Sequence, residues 1–412
     1  MKSLTFIHAA DLHLDSPFKG MEASVPSALF ERMKESTFRS FARIIDKAIQ
    51  ERVDFVVISG DLYDAEMRSL RAQVFVREQM RRLHAYNIPA YIIHGNHDHV
   101  GGSWAAIEFP DNVHAFLQPY VEAKPYYRDG ELLAYLYGFS YHQKAVMDNM
   151  TSQYNKAGDA PFHIGLLHGS MDGSNEHSRY APFQLKELQE KGFDYWALGH
   201  IHKRSVLSEN PPIIYPGNIQ GRHRKETGEK GCYLVELGTG KQVCTFVPTM
   251  DIVWEEAEIS IEGLQSIDDI LTCCYEAIRQ VRREREGVLL TLAFSGQGAA
   301  SSLLQDARQL EDIMHILNDG EIQENFVYIV KCYNYTFSHE AWERLKSEND
   351  FFADLLKETE AFTDMDTVLR PLWNSAARKV LEPFSDEEKE EIRKEAERIV
   401  IEGLLAEGGV RE

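Results

Sequence analysis

Short apolar runs alternate with helical patterns over the first part of the chain. Strands are predicted at 4–8, 54–59 and 89–94, because each is a run of apolar and β-branched residues. Apolar residues recur at helical spacing over 27–50 and 69–86, which predicts a helix between successive strands. Strands and helices in this order form a parallel sheet with covering helices.

From residue 132 onwards, strands follow one another with fewer helices between them. The clearest helix of this part is 182–191, which ends at Gly192. The pattern favours an α/β fold, a two-sheet α/β sandwich whose second half is more antiparallel. The further predicted strands are 132–138, 162–168, 194–199, 212–215, 231–237 and 243–247.

The pattern restarts after about residue 250. Strands at 253–260, 288–295 and 325–335 alternate with helices at 267–286 and 302–319, which predicts a small α+β domain. From residue 338 the chain is helical in pattern and acidic, with 20 Asp and Glu against 11 Lys and Arg, a net −9. We therefore predict three domains, 1–249, 250–337 and 338–412.

Five of the apolar runs in the first half of the chain end in Asp, Asn or His. Because sheets of this kind bind ligands at the carboxyl ends of their strands, these side chains are expected to meet at one edge. Hard divalent metals such as Mn²⁺ prefer oxygen and imidazole ligands, and no cysteine is among the candidates. The candidate metal ligands are Asp11, His13, Asp61, Asn96, His168, His200 and His202.

The candidates suit two metal ions better than one. His200 and His202 are two residues apart at a strand end, and we expect their imidazoles to serve two adjacent ions. In two-metal sites the ions lie ~3.5–4 Å apart, so one carboxylate must bridge them, and Asp61 in Gly-Asp-x-x-Asp is the natural bridge. One ion would then take Asp11, His13 and His202, and the other Asn96, His168 and His200.

Asn96 and the residues after it point to chemistry on an anionic phosphate. The neutral amide supplies an oxygen ligand and leaves the site more positive, as the binding of a phosphate requires. His97 is a candidate general acid for the leaving oxygen, and the carboxylate of Asp98 can hold its imidazole in one tautomer. Two bound ions would activate a water and clamp the phosphate oxygens for in-line attack.

The composition is that of a soluble globular protein, with 43% hydrophobic and 26% charged residues. No run approaches the ~18 apolar residues of a membrane span, and the N-terminus enters a strand without the layout of a signal peptide. The five cysteines lack metal-site spacing, which favours small buried thiols in a reducing compartment. A cytoplasmic protein without membrane contact is expected.

The net charge of −21 bears on the choice of substrate. Phosphate backbones are held by Lys and Arg, and so acidic a chain repels them at long range. Either bound metal ions supply positive charge inside the cleft, or a partner subunit holds the nucleic acid. The most basic short segment, 221–231, carries Arg222 and Arg224 as candidate substrate-phosphate contacts, and the alternative is a solvated hairpin.

The motifs together resemble those of the calcineurin-like metallophosphoesterases over 1–247. The series is Asp-x-His, Gly-Asp-x-x-Asp, Gly-Asn-His-Asp, His-Gly and Gly-His-x-His. Within that superfamily, Tyr180-Ala181-Pro182 and Tyr215-Pro216-Gly217-Asn218-Ile219-Gln220 resemble the SbcD-like DNA repair exonuclease family. The run from Asp11 to Phe18 is most similar to the YhaO-type branch of that family.

The resemblance implies a sandwich of the metallophosphoesterase type, two Mn²⁺ ions, a DNA substrate and a small capping domain. It also implies that C-terminal helices dock on an SMC-like ATPase of the SbcC type. Two departures limit it. Asp64 stands where archaeal and eukaryotic break-repair relatives usually carry a histidine, so their balance of exonuclease and endonuclease activity is not carried over. Asp15 stands where SbcD-type proteins often have glycine; it is either a residue of the cleft or part of a loop turn, and the turn is favoured.

We therefore predict a Mn²⁺-dependent phosphodiesterase, a DNA exonuclease of the SbcD type that works in DNA repair with an SMC-like ATPase. The alternatives are a phosphodiesterase for small nucleotides or a phosphoprotein phosphatase on the same site, and a scaffold that mainly docks the ATPase. The tail 338–412 is the candidate docking segment, through the stripe Ile392, Ala396 and Ile399, and packing on the capping domain is its alternative. A homodimer, the strand polarity and the strand preference stay open.

Overall fold

The computed structural model describes residues 2–64, 69–102, 107–172, 180–238 and 241–337, and only isolated positions after 337. The predicted helical tail, with its candidate docking stripe, therefore lies outside the continuous described ranges. None of the helices in the described part of the chain is long and apolar enough to cross a membrane.

The chain divides into two compact units, each assembled from separated stretches. The predicted domains are continuous ranges instead, and their boundaries stay predictions. The first unit comprises Met1–Glu256, Gln280–Thr291 and Asn318–Val330, and the second comprises Ala257–Arg279, Leu292–Leu317 and Lys331–Glu412.

The described strands and helices follow the predicted order closely. The strands are β1 (Ser3–Ala9), β2 (Phe55–Ser59), β3 (Ala90–Ile93), β4 (Val113–Ala115), β5 (Glu122–Arg128), β6 (Glu131–Gly138), β7 (Phe162–His168), β8 (Tyr195–Gly199), β9 (Ser205–Glu209), β10 (Pro212–Tyr215), β11 (Gly231–Gly238), β12 (Lys241–Pro248), β13 (Ile252–Ser260), β14 (Gly287–Gln297) and β15 (Val327–Phe337). The helices are α1 (Ser27–Glu51), α2 (Leu70–Ala85), α3 (Leu185–Glu190), α4 (Ile267–Val281), α5 (Ser301–Leu304) and α6 (Ala307–Asn318).

Two six-stranded mixed sheets form the sandwich. The first has the order β12-β11-β1-β2-β3-β4, with β1 to β4 parallel and β11 antiparallel to β1. The second has the order β5-β6-β7-β8-β10-β9, with a parallel centre and antiparallel pairs at both edges. A separate three-stranded sheet has the order β13-β14-β15. The predicted two-sheet α/β sandwich is confirmed.

Large apolar side chains fill the space between the two sheets. Phe6 of β1 stacks on Phe55 of β2 at 4.9 Å between ring centroids, and Tyr195 of β8 meets Phe6 edge-on at 5.2 Å. These residues belong to one buried cluster with side chains of both sheets. Burial of each such side chain stabilises the fold by ~1.5–3 kcal/mol. The same packing brings the carboxyl ends of β1, β2 and β3 close to those of β7 and β8.

Helices α1 and α2 cover the outer face of the first sheet. Phe41 and Ile45 of α1 and Met80 of α2 are buried there against β1, β2 and β3. Helix α2 begins where the Ser69 side chain accepts a hydrogen bond from the Ala72 N–H at 3.0 Å. Helix α1 ends at Glu51, and the next residue, Arg52, has a left-handed backbone that turns the chain towards β2.

Three short strands were not predicted, and all lie at sheet edges. Strands β4 and β9 have three and five residues and are largely solvent-facing, while β5 contains Pro125 and buries only Tyr126. Edge strands bury one side at most and tolerate proline, so they lack the apolar runs that identify central strands. The helix predicted at 302–319 is two helices, α5 and α6, separated at Gln305 and Asp306.

Candidate metal centre

The seven predicted ligands meet at the carboxyl ends of five strands. Asp11 and His13 follow β1, Asp61 follows β2 and Asn96 follows β3 in the first sheet. In the second sheet, His168 ends β7, and the imidazoles of His200 and His202 follow β8. All but the last two are buried, and those two are half-buried. The seven residues selected from the sequence therefore lie in one site, to which both sheets contribute side chains.

One group of ligand atoms gathers around His13 and His202. Their Nε2 atoms are 3.1 Å apart and face each other. A carboxylate oxygen of Asp11 lies with them, and the three ligand atoms are all within 4.8 Å of one another. This is the group predicted for the first ion.

A second group gathers around the amide oxygen of Asn96. That Oδ1 atom is 3.0 Å from His168 Nε2 and 3.2 Å from His200 Nδ1. The second imidazole nitrogen of His168 contacts the Ser59 carbonyl oxygen at 2.9 Å, which fixes the ring. This is the group predicted for the second ion.

The carboxylate of Asp61 lies between the two groups. Its Oδ2 atom is 3.7 Å from His13 Nε2 and 3.5 Å from His168 Nε2. Burial alone would raise the pKa of Asp61, but the charge of His168 and its hydrogen bond outweigh burial and hold this pKa well below its usual value. The position is the one required of a bridging ligand, and the bridging role stays a proposal.

The separations between donor atoms fit metal coordination. For metal–ligand bonds of ~2.1 Å at right angles, neighbouring donors lie ~3.0 Å apart. The closest pairs in the two groups, at 3.0 to 3.2 Å, agree with that separation. The donors are carboxylate, amide and imidazole, a set that suits Mn²⁺ and similar ions. Two divalent ions therefore fit these residues.

Four of the candidate ligands have a left-handed backbone. Their φ angles are 52° at Asp11, 40° at His13, 51° at Asp61 and 98° at His200. Such a conformation costs a non-glycine residue ~1–3 kcal/mol and persists only where surrounding contacts enforce it. One such contact is the His200 N–H, which donates to the carboxylate of Asp11 at 3.0 Å. The strain turns these side chains towards a common point.

Two glycines of the motifs are required by close approach. A Cβ atom on Gly95 would lie 2.3 Å from Asp61 Oδ1, and a Cβ atom on Gly199 would lie 1.9 Å from the Ser59 carbonyl oxygen. Neither distance is possible for real atoms. The glycines in Gly-Asn-His-Asp and Gly-His-x-His therefore let the strand ends converge.

Glu226 is a functional residue that the sequence analysis missed. Its buried carboxylate lies 2.7 Å from His202 Nδ1, so it orients the imidazole whose Nε2 faces His13. It also accepts hydrogen bonds from Asn218 Nδ2 at 2.9 Å and from the Arg222 N–H at 2.7 Å. Burial raises the pKa of Glu226, but the hydrogen bond and charge of His202 outweigh burial and lower it to about 2. The loop 221–231 carries two carboxylates, Glu226 and Glu229, and nothing in the sequence distinguishes the one that reaches His202.

The structure corrects the predicted pairing of His97 with Asp98. Asp98 is buried, and its Oδ2 atom accepts from the Leu62 N–H at 3.0 Å and lies 2.9 Å from His94 Nδ1. Its Oδ1 atom accepts from the Gly95 N–H at 2.7 Å. Adjacent residues of this tight turn face different ways, so Asp98 holds the loop after β3 and does not contact the His97 ring.

His97 lies at the mouth of the site and is partly exposed. Its backbone N–H donates to Asp61 Oδ1 at 2.9 Å, which ties it to the centre. Its Nδ1 atom is 4.0 Å from a carboxylate oxygen of Asp64. The carboxylate next to the His97 ring is therefore that of Asp64.

Arg222 faces inward and is held by the site. Its Nη1 atom donates to Asp64 Oδ2 at 3.1 Å, and its Nη2 atom lies 3.3 Å from His202 Nδ1. Arg224 is exposed on the same loop. The site therefore keeps a cation next to Asp64, because the Arg222 guanidinium is hydrogen-bonded to this carboxylate. The two arginines stay candidate phosphate contacts.

A cavity of about 1240 Å³ opens over the centre. It is larger than the ~300–1,000 Å³ that is usual for small-molecule sites. Asp61, Asn96, His97, His200 and His202 form its inner end. An extended molecule can therefore reach both groups of ligand atoms.

Two family descriptions match the chain. Residues 4–204 match the calcineurin-like phosphoesterase family. Residues 254–330 match the middle domain of the metallophosphoesterase YhaO. The first match covers the strand ends from Asp11 to His202, and the second covers most of β13 to β15.

Relatives support the same assignment over nearly the whole length. The chain is 41% identical over 405 residues to the metallophosphoesterase YhaO of Bacillus subtilis, which spans 97% of this chain and 98% of that protein. It is 26% identical over 301 residues to the DNA double-strand break repair protein Mre11 of Methanocaldococcus jannaschii, 68% of this chain and 74% of that one. The corresponding protein of Saccharolobus solfataricus is 26% identical over 315 residues, 72% and 77% of the two chains. The chain therefore belongs to the calcineurin-like metallophosphoesterases and is a metal-dependent phosphoesterase similar to YhaO.

Proposed function

We propose that the protein is a Mn²⁺-dependent phosphodiesterase that cleaves DNA, an exonuclease of the SbcD type. The observation that carries this is the paired arrangement of ligands around Asp61, with neutral Asn96 in one of the groups. Two carboxylates, one amide and four imidazoles would bind two divalent ions with a formal charge of +2 at the centre. A phosphodiester anion complements such a centre.

The residues of the chain have separate tasks in this reaction. Bound divalent ions would supply an activated water and neutralise phosphate charge. His97, at the mouth of the site and beside Asp64, would donate a proton to the leaving oxygen. Glu226 would keep His202 oriented, and Arg222 would hold the carboxylate of Asp64. Asp98 would keep the turn that carries Asn96 and His97 in place.

The biological setting is part of the proposal. Relatives named as DNA double-strand break repair proteins support DNA as the substrate and a role in repair. The acidic tail, net −9, supports docking of an SMC-like ATPase of the SbcC type in preference to contact with nucleic acid. We also propose a cytoplasmic location, which the five free cysteines support because a reducing compartment keeps thiols free.

The test compares three substrates on one preparation. The purified protein, freed of metal by a chelator, is given Mn²⁺ and end-labelled DNA, a dinucleotide or a phosphopeptide. We expect Mn²⁺ to restore cleavage of DNA, with Mg²⁺ and Zn²⁺ as matched alternatives. Faster hydrolysis of the phosphopeptide, or of the dinucleotide alone, would contradict the proposal and favour the corresponding small-substrate or phosphatase activity.

A further inference from the structure

The lining of the cavity has a charge opposite to that of the chain. The whole sequence carries 65 Asp and Glu against 44 Lys and Arg. Among the described residues that line the cavity, the acidic ones are Asp61 and Glu226, and both face the metal-ligand groups. The basic lining residues are Lys144, Lys203, Arg204, Lys225 and Lys230.

Four of these cations lie next to the His202 side of the centre. Lys203 and Arg204 directly follow His202 in the chain. Lys225 and Lys230 lie before and after Glu226, the residue whose carboxylate contacts the His202 imidazole. We call Lys203, Arg204, Lys225 and Lys230 the basic wall. It is continuous with one end of the proposed centre.

Contacts with neighbouring residues hold two side chains of the basic wall in place, and the other two are exposed. The Arg204 guanidinium lies 3.8 Å from the centroid of the Phe246 ring, which supports the side chain from below. Lys230 is buried, and its Nζ atom donates to the His202 carbonyl oxygen at 3.4 Å, which links the loop to the strand end. Lys203, Arg204 and Lys225 are exposed at the cavity.

Several cations on the helices of the first sheet are paired. On α1 and α2, Lys47 pairs with Glu51 at 2.7 Å, and Arg71 pairs with Glu35 at 2.5 Å. Within the described part of the chain, no carboxylate lies within 4.0 Å of the side-chain nitrogens of Lys203, Arg204 or Lys225. Unpaired cations that cluster at a cavity give it a positive potential, which favours an anionic ligand.

We propose that the basic wall is a subsite for the phosphates that neighbour the scissile one in a polynucleotide strand. The inference rests on the proposed function and makes it more specific, because it assigns the substrate a run of phosphates on the His202 side. A single phosphodiester would fill only the inner end of the cavity. A strand would also neutralise the exposed cations of the wall, which explains how a chain of net −21 binds nucleic acid at this site.

The test uses a triple variant and a control of equal charge. Lys203→Gln, Arg204→Gln and Lys225→Gln are combined in one protein. The control combines Lys186→Gln, Arg81→Gln and Arg308→Gln, which are exposed residues that do not line the cavity. Both proteins lose three positive charges, so a general electrostatic effect would appear equally in each.

Two measurements are made on the full-length proteins. Binding of a fluorescein-labelled oligothymidylate of twelve nucleotides is followed by fluorescence anisotropy at several salt concentrations. Loss of three contacts with a single strand should lower the slope of log K against log salt by about 2, because each contributes ~0.7. Mn²⁺-dependent hydrolysis is then compared between that oligonucleotide and bis-p-nitrophenyl phosphate. The ratio of the two kcat/KM values should fall at least tenfold in the wall variant only.

The outcomes separate the two proposals. If bis-p-nitrophenyl phosphate and the oligonucleotide are both resistant with every metal, the proposed phosphodiesterase function fails, and this inference fails with it. If both are cleaved but the salt slope and the kcat/KM ratio of the wall variant match those of the control variant, only the basic wall is refuted. A single Lys203→Glu variant repeats the test with less change to the surface, and it too should lower the ratio.

Discussion

Replacing Glu226 with glutamine should weaken one metal site and leave the other intact. The carboxylate faces His202 Nδ1 with one oxygen, and the other accepts from Asn218 and from the Arg222 N–H. A glutamine amide that keeps the two bonds on its oxygen must point its NH₂ group at His202. An imidazole that binds a metal through Nε2 carries its proton on Nδ1, so two donors would then face each other.

The expected magnitude follows from the lost hydrogen bond. A bond between a neutral imidazole N–H and a buried carboxylate is charge-assisted, and its loss costs ~1.5–3 kcal/mol. Since ~1.4 kcal/mol is a factor of ten in affinity, the ion held by His13 and His202 should bind ~10–100-fold more weakly. The same range is typical when the partner of a metal-binding histidine is removed.

The assay is a titration of metal-free protein with Mn²⁺ at neutral pH, followed by calorimetry and by electron paramagnetic resonance. Glu229→Gln is the matched control, because Glu229 lies in the same loop but pairs with Arg283 at 3.2 Å. One weakened site in Glu226→Gln, with two normal sites in Glu229→Gln, is the expected result. Unchanged affinity, or equal weakening of both sites, would refute the role given to Glu226.

Three further predictions concern the bridge, the general acid and the tail. Asp61→Ala should lose both ions whereas His202→Ala should weaken mainly one; two equivalents of metal on Asp61→Ala protein would exclude the bridge. His97→Ala should keep its metal and lose ~10²–10⁴-fold in kcat, and loss of metal content would make His97 a ligand instead. Deleting 385–412 should abolish co-purification with an ATPase subunit while metal binding and cleavage of short single-stranded DNA persist; continued co-purification, or precipitation of the truncated protein, would contradict docking.

The sequence predicted the positions of the strand ends well because buried parallel strands are continuous apolar runs. A metal ligand at the end of such a run must be a polar residue. Asp11, Asp61 and His168 could therefore be recognised as polar residues that interrupt or end the apolar pattern. The division into two sets was inferred from Gly-His-x-His, which offers two imidazoles at one strand end, and it stays a prediction. What periodicity does not encode is the direction of side chains within a tight turn.

That limit explains the two failures at the site. Asp98 is next to His97 in the chain, but the turn after β3 directs its carboxylate to the Gly95 N–H and His94. Glu226 lies 24 residues from His202 in the chain and reaches it only because the loop before β11 folds back over β8. Contacts between distant loops depend on tertiary packing, for which a single sequence carries no local signal.

The candidate ligands come from both sheets, so bound ions would cross-link the two halves of the sandwich. An ion that binds only the folded form adds about 2.7 kcal/mol to the free energy of unfolding at a hundred times its Kd. The supply of the divalent metal would then determine how long the protein survives, as well as how fast it works. In a cell starved of the metal, the same molecules would open more often between the sheets, meet proteases and decline in number. Loss of activity and loss of protein would then have a single cause.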